Sequence, residues 1–346
     1  MLYVTTRNNR ETYTSHRALT EERAPDGGFY VPMRLPEFAN NQIDALKNRS
    51  FNQCVADTLN LFFGTRLTAF DIDFSTGRCP VRLVGLRHRI WLGETWHNLE
   101  GNFDRMARNL YRHITGPEAG EPTDWFRIVL RMGVLFGFFG KLMRKETAGP
   151  KNSVDIAVLS GDFSAPMAAW YARRMGLPIA NIVICCNDNN NPWELIHHGE
   201  MRTNLVAVTT ETPEGDYVVP THLERFVYGC GGVRETERFV TACREGRMYI
   251  PSDMVCEAMR KGMQASVVGQ DRVRSAIPNV YRTHRQLFHP CTALVYSGLM
   301  DYRAGAGESR AVLVLSEKSP GMVTGYMAEA MGMPEPELKK ILNILE

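Results

Sequence analysis

The sequence has 346 residues, 44% hydrophobic and 23% charged, and its 40 basic and 38 acidic side chains leave a formal charge of +2. That balance lacks the basic excess of a nucleic-acid-binding protein, and the length suffices for a large core in two domains. Because the N-terminal stretch MLYVTTRNNRETY has no apolar signal segment, we expect a cytoplasmic protein.

The first third of the chain, residues 1–115, mixes short strands with helical patterns. Apolar residues recur at helical spacing over 40–63, and the stretch FDRMARNLYRHIT predicts a helix that stops at Gly116. A connector rich in proline, glycine and acidic residues follows at 116–124. A long apolar helix then begins at Asp124, a good N-cap residue. Charged residues interrupt its segment 125–143, so we expect a buried helix and no membrane span.

The remainder, residues 125–346, alternates strands and helices. VDIAVL (154–159), PIANIVICCN (178–187) and AVLVLS (311–316) predict buried strands, and a helix is predicted between the first two. That connection has the length that parallel pairing requires, so the pattern predicts an α/β fold. Ligands of such sheets gather beyond the carboxyl ends of the strands, where the turn SGDFSAP (160–166) lies.

Eight cysteines occur without any CxxC pair. We expect reduced core thiols, with Cys185 and Cys186 at the end of a buried strand. The adjacent His197 and His198 would point apart, so the sequence predicts no metal site.

Five stretches, in order between residues 3 and 323, resemble the threonine synthase family of pyridoxal-phosphate (PLP) enzymes. They are YVTTRN…RAPDGGFYVPMRLPEF, SGDFSAPMAAWYARRMGLPIANIVICCNDNNNPWELIHHGEMR, PTHLERFVY, YRTHRQLFHPCTALVYSGL and VLVLSEKSPGMV. The family forms of the second and third include SGNFG and SSNLERLLF, and DWFRIV resembles the family helix NSINxxR. The resemblance implies the tryptophan-synthase-β fold (fold type II), a mostly parallel sheet flanked by helices, and a possible homodimer.

The resemblance places the PLP phosphate cradle on Gly161, Asp162, Phe163 and Ser164. Asp162 replaces a neutral amide and would repel a phosphate, and Ser164 replaces a glycine. Pro166 removes one N–H from the first helical turn, although proline is also common at an ordinary helix start. Both a phosphate site and a purely structural turn remain open at this point.

The family's Schiff-base lysine corresponds to Glu100, and a carboxylate cannot form an imine with the cofactor aldehyde. An active enzyme would need a relocated lysine, such as Lys141, Lys151 or Lys318. Glu317 replaces the threonine that faces the pyridine nitrogen; it could pair with that nitrogen or be a solvated strand end.

The family has a small mobile domain with a substrate-contacting SGDTG loop between two helices. In this sequence the corresponding predicted helices are joined only by the connector 116–124, so this domain has no counterpart here. We therefore expect a threonine-synthase-like region at 1–115, a connector at 116–124 where the small domain is largely deleted, and an α/β domain at 125–346.

Three functions follow as hypotheses. The first is a threonine-synthase-like protein without PLP or lyase activity that binds a protein partner or a small phosphorylated or amino-acid ligand. The second is an active threonine synthase that converts O-phosphohomoserine with PLP. The third is a PLP-free enzyme in the remnant cleft, with Glu100, His97 and Asp104 as acid–base groups and Arg105 and Arg108 as anion binders; the alternative for these residues is an ordinary charged helix entry.

Overall fold

A mostly parallel six-stranded sheet lies at the centre of this computed structural model, which describes residues 1–76, 81–96, 102–307 and 310–345. In chain order the strands of this part of the chain are β1 (Leu2–Thr5), β2 (Tyr13–Thr14), β3 (Tyr30–Pro32), β4 (Arg82–Gly85), β5 (Ile90–Glu94), β6 (Val154–Leu159), β7 (Ile179–Cys186), β8 (Met263–Val267) and β9 (Val312–Ser316).

Helices surround both sheets. They are α1 (Ser15–Thr20), α2 (Asn40–Asp44), α3 (Phe51–Phe63), α4 (Ala69–Ser75), α5 (Phe103–Thr115), α6 (Asp124–Arg144), α7 (Ser164–Arg174), α8 (Asn191–His197), α9 (Leu223–Glu245), α10 (Asp253–Arg260), α11 (Gln270–His284), α12 (Pro290–Ala306), α13 (Thr324–Met331) and α14 (Glu335–Leu345). Short 3₁₀ helices occur at Ala45–Asn48, Pro213–Gly215 and Pro320–Val323.

The large sheet has the strand order β4-β5-β9-β6-β7-β8. Neighbouring strands pair in parallel except β4 and β5, which form an antiparallel edge. Strands β2, β1 and β3 form a separate antiparallel sheet. The three strands predicted from apolar runs are confirmed as β6, β7 and β9, and the predicted parallel pairing of β6 with β7 is confirmed.

Both faces of the large sheet are buried, as expected when helices cover a parallel sheet on each side. On β6, Ile156 and Val158 join the core that contains α3, α6 and α7, whereas Ala157 joins the core under α11 and α12. On β9, Leu313 and Val314 alternate between the two cores in the same way. The period of two along each strand therefore produces a three-layer α/β arrangement.

Helix α6 is the buried helix that the apolar segment predicted, and most of its side chains are inaccessible to solvent. Its N-cap is Thr123, whose hydroxyl accepts the Phe126 N–H; the sequence had assigned the cap to Asp124, which is the first helical residue. Among the described residues, every helix is too short or too polar to cross a bilayer.

The helical pattern over 40–63 is interrupted. It forms α2, a 3₁₀ turn and α3, because the Ser50 side chain accepts the Gln53 N–H and starts a new helix. Helix α5 ends at Gly116 as predicted. Cys185 and Cys186 end the buried strand β7, also as predicted, and the seven cysteines of the described residues are free thiols.

Candidate functional site

A cavity of about 340 Å³ opens beyond the carboxyl ends of β6 and β9, where an α/β sheet is expected to bind its ligand. Its described walls come from β6 and the following turn, from the starts of α5, α6, α7 and α12, and from the residues after β9. The charged groups on these walls are Asp104, Asp124, Arg127, Arg131, Asp162, Glu214, Glu317 and Lys318.

The turn between β6 and α7 forms one wall of the cavity. Gly161 (φ +45°) and Phe163 (φ +72°) both have left-handed backbone conformations. A Cβ on Gly161 would lie 3.1 Å from the Glu214 carbonyl oxygen, so glycine is also required here by close packing. The Phe163 side chain is fully buried against Phe226 and does not line the cavity.

The Asp162 side chain hydrogen-bonds to the first residue of α7. Its Oδ1 accepts the Ser164 N–H at 2.8 Å and the Ser164 hydroxyl at 2.5 Å. A carboxylate therefore already takes up a backbone donor that a helix N-terminus offers to an anion.

A second carboxylate and a buried imidazole lie beside Asp162. Nε2 of His222 is 3.3 Å from Asp124 Oδ2 and 3.8 Å from Asp162 Oδ2. On the other edge of the ring, Arg225 Nη1 donates to His222 Nδ1 at 2.5 Å. Because an arginine only donates, a neutral His222 carries its proton on Nε2, between the two carboxylates.

The ionisation of this group follows from its surroundings. Burial lowers the pKa of His222, the Arg225 charge lowers it further, and the two carboxylates only partly offset this, so the net shift of the His222 pKa is downward. Burial raises the pKa of Asp162, but His222, Arg131 and Ser164 outweigh that effect and hold it below its ordinary value. Burial likewise opposes ionisation of Asp124, whose pKa is nevertheless lowered by His222. Both aspartates are therefore anionic at neutral pH.

Arg131 and Glu317 form a bidentate ion pair on the opposite wall. Arg131 Nε and Nη2 donate to the Glu317 carboxylate at 2.7 and 2.9 Å, and the guanidinium stacks 3.9 Å above the Phe103 ring. The Glu317 side chain is 23% exposed, so it is not the solvated strand end that the sequence left open. Burial acts to lower the pKa of Arg131, but the Glu317 charge outweighs it and raises that pKa.

Glu214 closes a third side of the cavity. Its carboxylate accepts from Lys318 Nζ and, at 2.9 Å, from the Cys291 thiol. Burial raises the pKa of Glu214, but these two donors lower it to about 2 overall. Burial and the Glu214 charge both raise the pKa of Cys291, so this thiol is protonated and not a nucleophile.

Glu214 belongs to an irregular strap, residues 203–221, that lies across the cavity. A buried polar network fixes the strap: Asn187 Nδ2 donates to Thr210 Oγ1 at 2.9 Å and to Asp216 Oδ1 at 2.7 Å. Tyr217 of the strap reaches the cavity. Burial raises the pKa of Tyr217, and the Asp162, Asp124, Asp104 and Glu214 charges raise it further.

The residues expected to form the remnant cofactor site are brought together in part. Gly161, Asp162, Ser164 and Glu317 line the cavity, and Phe163 does not. Asp104 also lines it, whereas Arg105 and Arg108 are not among its wall residues. Glu100 and His97 lie outside the described residues. Of the three lysines considered for a relocated Schiff base, Lys318 lines the cavity, Lys141 donates to the Val81 carbonyl, and Lys151 is exposed.

Sequence reasoning missed His222, Arg131 and Glu214, and took Asp124 only as a helix cap. These residues are far apart in the chain and meet only in the fold. A signal was nevertheless present. The family strings SGNFG, NSINxxR and SSNLERLLF carry asparagine where this chain has Asp162, Asp124 and His222. These three side chains also form the group of metal-ligand type found among the described residues.

Known proteins provide three informative comparisons. Residues 2–78 match the family model for the threonine synthase N terminus. Threonine synthase from Pseudomonas aeruginosa is 27% identical over 220 residues, covering 59% of this chain and 45% of that protein. Threonine synthase from Schizosaccharomyces pombe is 24% identical over 86% of this chain and 83% of that protein. The match thus spans less than half the length of the Pseudomonas protein.

Solved structures give the fold. The crystal structure of PLP-bound threonine synthase from Brucella melitensis superposes with a TM-score of 0.84, covering 99% of this chain and 94% of that chain at 19% identity. The predicted α/β architecture with a mostly parallel sheet flanked by helices, that of a fold type II PLP enzyme, is therefore confirmed.

Proposed function

We propose that this chain, which is similar to threonine synthases in sequence and fold, binds a small ligand in its cavity and does not carry out their PLP-dependent lyase reaction. One observation carries the proposal. The Asp162 carboxylate accepts the Ser164 N–H and hydroxyl at the turn that the resemblance assigns to the cofactor phosphate.

The magnitudes decide against a phosphate at this turn. A helix N-terminus stabilises an anion by about 0.3–1 kcal/mol. Two like unit charges about 4 Å apart near a protein surface repel by on the order of 4 kcal/mol. Asp124 adds a second negative charge beside Asp162. The residues at this turn therefore do not fit a phosphate.

The other groups that PLP would need are engaged elsewhere. Glu317, at the position expected to face the pyridine nitrogen, is held by Arg131. Lys318, the lysine on the described walls of the cavity, donates to Glu214. A protonated lysine in an ion pair is a poor nucleophile for an aldehyde. The residues of this chain thus favour the binding of a ligand between the acidic and basic groups of the cavity wall.

The test is a PLP titration with two readouts, absorbance and phosphate release from O-phosphohomoserine. We expect the spectrum of the mixture to equal the sum of the separate spectra, and no phosphate release above that of buffer. Lys318→Met is the informative variant, with Lys151→Met as the exposed control. A new aldimine band with phosphate release, both lost in Lys318→Met and kept in Lys151→Met, would establish the active-enzyme alternative instead.

Two finer expectations remain predictions. The homodimer rests on the resemblance alone, and its check is the mass of the protein in solution by light scattering. The cytoplasmic location is supported by the free thiols of the described residues, since an oxidising compartment favours disulfides.

A further inference from the structure

The charges on the cavity wall predict what kind of ligand it takes. Among the described wall residues, five are acidic (Asp104, Asp124, Asp162, Glu214, Glu317) and three are basic (Arg127, Arg131, Lys318). A cavity lined mainly by one sign of charge concentrates ligands of the opposite sign. The ligand is therefore expected to be cationic.

The basic groups are already neutralised by partners of their own. Arg131 is paired with Glu317 and Lys318 with Glu214. Arg127 faces three carboxylates at 3.5–3.6 Å, those of Asp104, Glu121 and Asp124. In the described part of the chain, Asp162 has only the imidazole of His222 within 4 Å as an ion-pair partner. Among the described residues, no lysine or arginine lies within 4 Å of the Asp162 carboxylate, so this charge is available to a ligand.

His222 also decides between a metal ion and an organic cation. Its distances to Asp124 and Asp162 would suit a metal-ligand group. The proton that Arg225 forces onto Nε2 blocks the lone pair that a metal would need. That N–H lies 3.3 Å from Asp124 Oδ2 and 3.8 Å from Asp162 Oδ2, the two carboxylate oxygens that would face an ammonium donor.

An independent observation indicates where the rest of the ligand lies. Nη1 of Arg131 is buried and has no hydrogen-bond partner among the described residues, although Arg131 lines the cavity and is only 9% exposed. A buried donor without a partner costs about 1–3 kcal/mol, so a ligand oxygen bound there would be favoured. Arg131 and Asp162 both line this cavity, so one ligand can contact the donor and the acceptor together.

We propose that the cavity binds a basic α-amino acid, with an ammonium group between Asp124 and Asp162 and the carboxylate on Nη1 of Arg131. This inference rests on the proposed function and names its ligand class. Such a ligand carries a net positive charge, whereas a phosphorylated amino acid carries a net negative charge. Its net positive charge complements the acidic excess of the described walls, and its size is that of a metabolite suited to a cavity of about 340 Å³.

Isothermal titration calorimetry on the full chain tests the proposal, with L-lysine and L-ornithine as probes. We expect one of them to bind with a stoichiometry of one. Norleucine, which lacks the side-chain ammonium, and cadaverine, which lacks the carboxylate, should bind at least tenfold more weakly. Phosphoserine should not bind.

The variants are Asp162→Asn and Asp124→Asn, each of which should weaken binding at least tenfold. Asparagine at 162 keeps an oxygen for the Ser164 N–H, so the turn remains folded. Asp57→Asn, an exposed residue on α3, is the matched control and should leave binding unchanged.

Any of three results would overturn the inference. The first is that neither basic amino acid produces a heat of binding at millimolar concentration, and the second is that Asp162→Asn binds the amino acid as tightly as the parent. The third is that the protein binds Mn²⁺ but no amino acid, and that Asp162→Asn abolishes the Mn²⁺ binding. The proposed function fails separately, through an aldimine with PLP. If the protein binds neither basic amino acids nor PLP, the proposed ligand class is wrong, whereas the proposed absence of PLP chemistry stands.

Discussion

Single side chains determine the charge of this cavity, and Asp162 is the main one. A carboxylate at this position satisfies the start of α7 from within the chain, through the Ser164 N–H and hydroxyl. Its neighbour His222 is fixed as an Nε2–H donor by Arg225. The negative charge of Asp162, together with that of Asp124, makes the turn unsuitable for a phosphate and suitable for an ammonium group.

A buried acid elsewhere in the sheet gives a pH-dependent prediction. Glu94 at the end of β5 is 2% exposed, and burial raises its pKa to about 7, although Arg82 at 3.6 Å opposes the rise. The folded state therefore holds this proton more tightly than the unfolded state, whose value is 4.5. Stability from this group is fully present below pH 4.5 and is lost as pH rises through 7.

The Glu94→Gln substitution removes this pH-dependent loss of stability. Between pH 5 and pH 8 the free energy of unfolding of the variant should rise by about 2–3 kcal/mol relative to the parent, measured by urea denaturation. Glu121→Gln, whose side chain is 59% exposed, should show no such trend. Parallel pH profiles for the parent and Glu94→Gln would contradict a buried, protonated Glu94.

At the scale of elements, helix α6 connects the core to the cavity. Its first turn carries Asp124, and Arg131 lies two turns further on. Glycines on the same helix allow α3 to approach closely: a Cβ on Gly137 would lie 2.4 Å from the Phe51 ring. The position of Arg131 thus depends on tight packing along the whole helix.

Gly137→Ala tests this packing. Alanine is the better helix former by about 1 kcal/mol, but the clash with Phe51 should dominate and lower the free energy of unfolding by about 1–3 kcal/mol. Gly305→Ala on α12, where nothing lies within 4 Å of the added Cβ, should leave stability equal or raise it by up to about 1 kcal/mol. Urea denaturation measures both. Equal stability of the Gly137→Ala variant and the parent would refute the close approach of α3.

The elements of this fold were predictable where a pattern was long and regular. Strands β6, β7 and β9 and helix α6 were found because continuous apolar runs mark buried elements. The start of α6 was missed by one residue, since both Thr123 and Asp124 are good caps. The break before α3 was missed because the apolar spacing continues across Ser50, where a side-chain cap overrides it.

The site was less predictable than the fold. The resemblance located Asp162 and Glu317, but not that Glu317 binds Arg131, because the partner lies on another helix. Glu214 lines the cavity from the strap, and the buried His222 lies beside Asp124 and Asp162. No local pattern relates either residue to the turn after β6. Tertiary contacts, not propensity, determine these neighbours.

At the scale of the whole molecule, one sheet joins the two ends of the chain. Strands β4 and β5 come from residues 1–115, and β5 pairs with β9 near the C-terminal end. Helix α5 leads through 116–123 directly to α6. The division at 1–115, 116–124 and 125–346, with a largely deleted small domain, remains a prediction. It is consistent with a cavity whose described walls all belong to the sheet, its flanking helices and the strap.

The proposal most open to test is that this chain, which is similar to threonine synthases, lacks the covalent chemistry of PLP. Borohydride reduction in the presence of PLP, followed by intact-protein mass spectrometry and peptide mapping, tests it most directly, because reduction traps any imine irreversibly. We predict no stoichiometric adduct, and labelling of Lys318 no greater than that of the exposed Lys151. One adduct per chain on a single lysine, abolished by replacing that lysine with methionine, would contradict the claim.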